Sequence, residues 1–558
     1  MVGKVLYHLT GKVWDNVPCS IAQGCAARSV RGSSKESGDK MKNNKIVTAA
    51  EAVSRIPDGA FIALNGVGMN GIAREVVDAL TDRYDKEKHP SGISLIHTGG
   101  IAVAMEFARE GLLSAYYSGF PTLDSDLILQ NKFPVYSLTQ GIALHIIRAQ
   151  ANKTPYLTRI GVNTFLDPRI ESSAGNEKAA SNPVVQLVTI DGEEYLHYKI
   201  PPLTVAIIRG TTADPDGNLR DEDELIKHEL LYMAMAVHNN GGIVIAQVKN
   251  VAQHGSLDGA DIAVPGLLVD YVVPCTNQEK LHTPIYNTPF GPGVTGHHKV
   301  DDSVVPLESY RPDGERLIVA RRAAAELRPG YIVNVGIGMP VGVAYVASTE
   351  GIHDQFYLSN ELGAIGGHIA GGFFFAASFN ALAYMRHHEM FDFIDGGGLD
   401  MTCLGIAEVG ENGSVNVTRI AGKPKGSGGF INIAASARKV VFLGSLTVGG
   451  TSVVEDGKLK IEKPGKGGKF PKQVDQISFS GPDAVKKGQE IYYVTERAVF
   501  QLIGGKVTLI EYADGLDVQK DILDFMDFKP EISSDLKPMP AFCFEEGLIG
   551  LKEQWKQY

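Results

Sequence analysis

Cysteine is scarce: the chain has five (Cys19, Cys25, Cys275, Cys403 and Cys543), and no two form a C-x-x-C pair. A scattered, odd set supplies neither a disulfide frame nor a zinc site, and fits reduced thiols in a reducing compartment. Long apolar runs are missing too. The most apolar stretch, 369–385, is short for a bilayer and carries Gly371, Gly372 and Asn380, so it reads as a buried helix. Positive charge is in deficit, with 53 Lys and Arg against 64 Asp and Glu and a net charge of -11. That balance argues against nucleic acid as a partner. No metal-ligand spacing is present. His297 and His298 would point to opposite faces of a strand, and His387-His388-Glu389 lacks the H-E-x-x-H separation. No metal is expected. Glycine, by contrast, is abundant at 63 of 558 residues, and it comes in clusters that suggest tight loops around a ligand.

With 44% hydrophobic and 21% charged residues, the composition is that of a globular protein. The length suggests roughly two to four domains. Residues 1–40 stand apart, with scattered Lys, Arg and Ser and no sustained period. They read as a disordered extension or, less well given Asp15, Glu36 and Asp39, as a targeting peptide.

From Ile46 the pattern is regular. Thr48 to Val53 reads as a short capped helix and Phe61 to Asn65 as a buried strand. Gly66 to Gly71 is a turn, Ile72 to Tyr84 an amphipathic helix, and Gly92 to His97 the next strand. This order makes a βαβ unit with a parallel sheet. The turn matches G-x-G-x-x-G, yet the following strand ends Ile96-His97-Thr98-Gly99-Gly100 with no acid to hold a ribose, which argues against NAD. Gln140 falls in a loop before a helix that runs through Arg148. Further strands are expected at Val205–Arg209, Ile243–Gln247 and 263–273. The Gly-, Pro- and His-rich stretch from 291 to 311 reads as a linker.

The second half repeats the first. A helix at 316–327, a strand at 331–335, the turn Gly336-Ile337-Gly338-Met339 and another helix match the earlier strand, Gly66-Val67-Gly68-Met69 turn and helix. The fold class is therefore α/β, with two tandem related domains and mainly parallel sheets. Phe391 to Asp400 is expected as a strand leading to a turn, Gly426 to Phe430 as a flexible loop, Lys439 to Leu443 as a strand, and 458–472 as a solvated hairpin.

One carboxylate sits where such folds place their chemistry. Glu361 follows the run Gln355-Phe356-Tyr357-Leu358 and opens the glycine turn Gly363-Ala364-Ile365-Gly366-Gly367. That position is the carboxyl end of a strand, where α/β sheets bind ligands. Alone, E-x-G-x-x-G also fits a surface acid beside a tight turn. Gln140 taken alone reads best as a helix-capping or solvent-facing side chain, though its amide could donate to a developing oxyanion.

Together these segments resemble the family I coenzyme A transferases, most closely the single-chain acetate/propionate type that acts on short-chain acids. The likeness rests on Leu138-Thr139-Gln140-Gly141, Gly336 to Pro340, Glu361 to Gly367, Phe391 to Asp400 and Gly426 to Asn432, and runs from about Ile46 to about Pro538. The resemblance implies an N-terminal domain at 41–290, the linker at 291–311, a C-terminal domain with the catalytic Glu at 312–540, and a tail at 541–558. It implies that Glu361 is the nucleophile of a glutamyl-CoA thioester in ping-pong catalysis. Gln140 and a backbone N–H near Gly428 and Gly429 would form the oxyanion hole. Gly336, Gly338, Met339, Gly428 and Gly429 would hold coenzyme A, a co-substrate and not a bound cofactor. The expected partners are acyl-CoA and a short-chain carboxylate (acetate, propionate, butyrate or acetoacetate), with no nucleic acid, no membrane, and a homo-oligomer, dimer or tetramer. The expected location is cytoplasmic, or an organellar matrix if residues 1–40 are a targeting peptide. Leu362 departs from the small or polar residue common after this Glu, which bears on acyl-pocket size. Three alternatives stay open from sequence: an acyl-CoA hydrolase on the same scaffold, a dinucleotide oxidoreductase, and a silent CoA-binding protein.

Overall fold

The computed structural model describes residues 44–68, 70–283, 291–371 and 376–557. The readings of residues 1–40 and of Met69 in the first glycine turn lie outside these residues.

In the first half, β1 (Phe61–Leu64), β2 (Ile93–His97), β3 (Leu113–Ser118), β4 (Val135–Ser137), β5 (Val205–Ala213), β6 (Ile243–Val251) and β7 (Tyr271–Pro274) form one sheet. Its order is β7-β6-β5-β1-β2-β3-β4, all neighbours parallel, with Leu219–Arg220 added antiparallel on β5. Strands covered on both faces need apolar side chains throughout, and β1 and β5 are buried along their whole length. Helices α1 (Ala49–Ser54), α2 (Arg74–Glu87), α3 (Gln140–Ala151) and α4 (Leu230–Asn239) accompany the sheet. Thr48 and Glu51 close the expected capping box on α1.

The second half builds a larger sheet. Its strands are β8 (Ile332–Val335), β9 (Tyr357–Ser359), β10 (Ala364–Ile365), β11 (Ala383–Tyr384), β12 (Met401–Gly405), β13 (Lys439–Leu443), β14 (Glu490–Val494), β15 (Ala498–Ile503), β16 (Lys506–Tyr512) and β17 (Glu531–Pro538). The order is β11-β10-β9-β8-β12-β13-β14-β15-β16-β17. The centre, β9 through β14, is parallel, while both flanks carry antiparallel pairs. Helices α5 (Gly314–Ala324), α6 (Val341–Thr349), α7 (His387–Asp395) and α8 (Phe430–Ser436) belong to this half. One apolar core draws on both halves: Phe61, Ile96, Leu138 and Ile142 join Phe391, Phe430 and Phe442. Helix α3 packs on α7, and α7 on α8. Among the described residues no helix is long and apolar enough to cross a membrane. Cys275, Cys403 and Cys543 are free and buried, and burial pushes the Cys275 and Cys543 thiols up to about 12.

Several expectations need correction. Phe391 begins no strand: it lies inside α7. His387, Met390, Phe391 and Ile394 are buried at three- and four-residue spacing, the helical period, and Glu389 accepts the Arg386 N–H at 2.9 Å to start the helix. The strand is the next segment, β12. The described part of 369–385 is not a helix but two short antiparallel pairings, His368–Ile369 with Ser378–Phe379 and β10 with β11. Ala376 and Asn380 there take φ of 78° and 59°, which a helix excludes. Of 263–273 only the end is strand, because Pro265 and the 3-10 turn Gly266–Leu268 interrupt the ladder. The lysine-rich hairpin lies earlier than expected, Thr451–Glu455 pairing with Lys458–Lys463 around Asp456-Gly457. Those two residues have φ of 51° and 72°, as a type I′ hairpin turn requires. Gln140 is the first residue of α3, not part of the loop before it.

Candidate active site

Parallel strand β9 ends at Ser359, and its successor Asn360 shapes the loop that follows. The Asn360 side-chain oxygen accepts the N–H groups of Leu362 at 3.0 Å and Ala364 at 3.3 Å. Gly363 has a φ of 111°, and a Cβ there would lie 2.2 Å from the Met385 carbonyl, so only glycine fits. Glu361 is thereby held beyond the carboxyl end of the strand, half-buried at the edge of a cleft. Burial pushes its carboxyl above the ordinary value, while a hydrogen bond from its own backbone N–H pulls the other way.

Gln140 reaches the same cleft from the first half. Thr139 caps α3 by accepting the Ile142 N–H at 3.1 Å, and its hydroxyl donates to Asn432 of α8. The Gln140 N–H donates to the Gly428 carbonyl at 2.8 Å, and the Gly428 N–H donates to the Gly119 carbonyl at 2.9 Å. The two halves are thus stitched at the backbone. A Cβ on residue 119 would lie 1.9 Å from the Thr98 carbonyl and 2.8 Å from the Gln140 Cα, so glycine is required there as well.

The Gln140 side chain is the end of a buried chain of hydrogen bonds. Its Nε2 lies 2.6 Å from His387 Nε2, and His387 Nδ1 lies 3.1 Å from Glu229 Oε2. The Thr98 hydroxyl donates to the other Glu229 oxygen at 3.1 Å. Burial alone would raise the Glu229 carboxyl, but the His228 and His387 imidazoles outweigh it and hold it well below its ordinary value. Burial keeps His387 below its ordinary value, against the pull of Glu229. A carboxylate only accepts, so the His387 Nδ1 carries the proton and Nε2 accepts. That assignment turns the nitrogen of the Gln140 amide, not its oxygen, toward His387. His228, Glu229 and His387 place donor atoms within 4.8 Å of one another, but both His387 nitrogens are already engaged.

The cleft encloses about 500 Å³. Glu361, Gln140, Gly336, Gly428 and Gly429 all line it. Gly338 and Met339 are not among its lining residues. Gly338 has a φ of 85° and open space around it, and Met339 packs on the core of the second half. The two glycines of the loop are not equivalent. The Gly428 N–H is spent on Gly119, whereas the Gly429 N–H has no hydrogen-bond acceptor among the described residues. A Cβ on residue 429 would lie 3.5 Å from Glu361 Cγ, so the two residues face each other across the cleft lining. Leu362 lies away from the lining: it is buried with Val67, Leu225, Ile226, Val294 and Ala370.

Sequence reasoning missed part of this wall. Ile337, Phe120 and Ile420 line the cleft while 64%, 39% and 47% exposed, an apolar surface open to a ligand. It also missed Glu229 and His387, which only the tertiary fold brings to Gln140. What is assembled is a poised carboxylate, an oriented amide and a free backbone N–H in an apolar cleft. Such a set can attack a carbonyl and stabilise the resulting oxyanion.

Comparison with known proteins agrees with this chemistry. The coenzyme A transferase family model matches residues 46–274. Caffeate CoA-transferase of Acetobacterium woodii is 41% identical over 91% of this chain and 98% of its own length. Acetate CoA-transferase YdiF of Escherichia coli O157:H7 is 39% identical over 90% of this chain and 96% of its own. Crystal structures of that acyl-CoA transferase, as apoenzyme and as a thioester complex with CoA, give TM-scores of 0.85 and 0.84 at 38% and 37% identity, each covering 91% of this chain and 97% of that chain. Both curated relatives are transferases, which leaves the hydrolase alternative without support.

The buried chain yields a stability prediction. His387→Leu leaves the buried Glu229 carboxylate with the Thr98 hydroxyl as its hydrogen-bond donor and His228 Nδ1 at 3.8 Å. Removing one partner of a buried charge typically costs about 3–5 kcal/mol. Calorimetry should show a lowered unfolding temperature, and Glu229→Gln, which keeps an oxygen acceptor for His387, should lower it less.

Proposed function

The chain belongs to the coenzyme A transferase family, and on that premise we propose that it moves CoA from an acyl-CoA to a free carboxylic acid through a thioester on Glu361. The observation that carries this reading is the meeting of the Glu361 carboxyl, the Gln140 amide and the Gly429 N–H in one cleft.

The Glu361 carboxylate attacks the thioester carbonyl, and the C–S bond breaks to give a mixed anhydride and CoA thiolate. The thiolate then attacks the Glu361 carbonyl, which releases the first acid and leaves glutamyl-CoA. The incoming acid runs both steps in reverse. The exchange is close to isoenergetic, so the difficulty is kinetic. A carboxylate is a poor nucleophile, and holding it against the thioester supplies roughly 7–11 kcal/mol of the barrier. Each tetrahedral intermediate carries an oxyanion that Gln140 Nε2–H and the Gly429 N–H can bind. His387 and Glu229 act as positioning residues, keeping the amide nitrogen turned to its task. Gly336, Gly428 and Gly429 let the CoA arm pass close to the backbone, and Phe120, Ile337 and Ile420 give its apolar segment a wall.

Acids of the acetate, propionate, butyrate and acetoacetate class are the proposed partners. Acetate is named for one relative and caffeate for another, so a donor and acceptor panel that includes caffeate decides the class. A higher kcat/KM for caffeate would overturn the short-chain reading. Cytoplasmic action and a homo-oligomer, dimer or tetramer, complete the proposal, and cell fractionation and light scattering test them.

Three outcomes follow for the reaction. Acyl-CoA alone should add the mass of CoA to the intact chain at Glu361, and borohydride should remove it by reduction. Glu361→Ala should abolish the adduct and lower kcat by about 10⁵-fold or more; an adduct persisting in that variant sinks the mechanism. Gln140→Ala should keep CoA binding and lower kcat by about 10²–10³-fold, as expected for one lost oxyanion donor.

The pH profile has a defined sign. A raised carboxyl pKa means that the nucleophilic anion is lost early as pH falls. The acidic limb of kcat/KM should therefore lie above the ordinary glutamate value of about 4.3. Because burial keeps His387 below its ordinary value, any limb from that imidazole should lie below the ordinary histidine value of about 6.5.

A further inference from the structure

Three donors far apart in the chain meet at one edge of the second half. Asp302 opens the 3-10 turn Asp302–Val304, His353 follows α6, and His368 begins the short strand after the Glu361 loop. Their ligand atoms lie within 4.8 Å of one another. His368 Nε2 is 3.3 Å from Asp302 Oδ1, and His353 Nε2 is 4.0 Å from Asp302 Oδ2. The two imidazoles lie side by side, with ring centroids 4.0 Å apart and planes 35° apart.

The arrangement is built from below. The His368 side chain is 3% exposed, yet its Nε2 makes no hydrogen bond. Its other nitrogen, Nδ1, lies 3.0 Å from the Ser348 hydroxyl. With Nδ1–H donated to that hydroxyl, Nε2 carries the lone pair and faces Asp302. Asn380 Nδ2 donates to Asp302 Oδ1 at 2.8 Å and fixes the carboxylate. These are the outer contacts that orient metal ligands. In a tetrahedral zinc site with bonds of about 2.0–2.1 Å, neighbouring donors stand about 3.3–3.4 Å apart. The His368–Asp302 pair already has that separation, and His353, whose side chain is 22% exposed, has room to close the rest. The three side chains open on a cavity of about 430 Å³ that Lys299 and Asp354 also line, with space for water as a fourth ligand.

We propose that Asp302, His353 and His368 bind a divalent cation of the zinc type, with water completing a tetrahedral set. Two imidazoles and one carboxylate form a donor set that zinc accepts and that calcium and magnesium, which take oxygen ligands, disfavour. The ion ties the segment between the two sheets to the strand that leaves the Glu361 loop. The site is independent of the thioester chemistry.

The test uses the untagged full-length chain, stripped with a chelator and titrated with zinc against a chromophoric competitor. One zinc per chain is expected, with a raised unfolding temperature that chelator reverses. Asp302→Asn and His353→Gln, both at solvent-accessible positions, should each weaken binding at least tenfold and remove the thermal shift. Failure of the wild-type chain to compete for zinc overturns the proposal. So does zinc affinity unchanged in both variants, which would locate the ion elsewhere.

Discussion

The backbone hydrogen bond from Gln140 to the Gly428 carbonyl is the constraint on which the site depends. It joins the first turn of a helix in one half to a glycine loop in the other. Around it, Gly428 N–H reaches Gly119, Ser427 reaches the Leu138 carbonyl at 3.1 Å, and Thr139 reaches Asn432. Each contact crosses between the halves, so the cleft has walls from both and cannot open without breaking them. The two glycines at this seam are required for different reasons: a Cβ on residue 119 would run into the Thr98 carbonyl and the Gln140 backbone, whereas residue 428 has space for one, within 3.8 Å of Phe120, but holds a φ of 55° that favours glycine.

Electrostatics divide the buried acids by task. Glu229 is fully buried and Glu361 half-buried, yet they move in opposite directions. Imidazole neighbours hold Glu229 well below its ordinary value, so it stays an anion and acts as an anchor. Among the described residues no cation pairs with Glu361, and burial pushes it up. An anion that is poorly solvated and unpaired is the better nucleophile, because attack relieves the cost of keeping it charged in a low-dielectric place. In the proposed reaction, an arginine partner for Glu361 would stabilise the anion and make it a weaker nucleophile.

Much of this was legible in the chain because the signals are local. Glu361 stands two residues beyond its strand, among glycines whose φ values a side chain would strain, and Gln140 stands at a helix start, one residue inside the helix and not in the loop before it. The two G-x-G turns were visible as a repeat for the same reason. Tertiary facts were not. His387 looked like part of an unused histidine pair, and nothing near it in sequence names Glu229 or Gln140 as partners. Helix α7 was misread because Phe391 and Phe393 alternate over too short a span to outweigh the helical spacing of His387, Phe391 and Ile394. Met339 sits in the right motif but turns inward to the core, and Leu362 is committed to packing. A motif places a backbone turn; which side chains of that turn face a ligand depends on what packs behind it.

The repeat also explains why the chemistry is unequal between the halves. In each, a strand, a G-x-G turn and a helix lead to a second strand, and the turns contribute Val67 and Ile337 to the same cleft. Two residues past the second strand, the halves diverge: the first has Gly99 and the second has Glu361. A Cβ at Gly99 would sit 2.8 Å from Val67 Cγ2, so an acid there would push the first turn out of the wall. The first half therefore cannot carry a nucleophile at this point without losing its side of the cleft. In the proposed reaction it contributes instead through Gln140 at the start of α3, a neutral donor. A symmetric pair with an acid from each half would place two carboxylates in one cleft, each raising the other's pKa and spoiling both as anions at neutral pH. One carboxylate facing one amide avoids that repulsion.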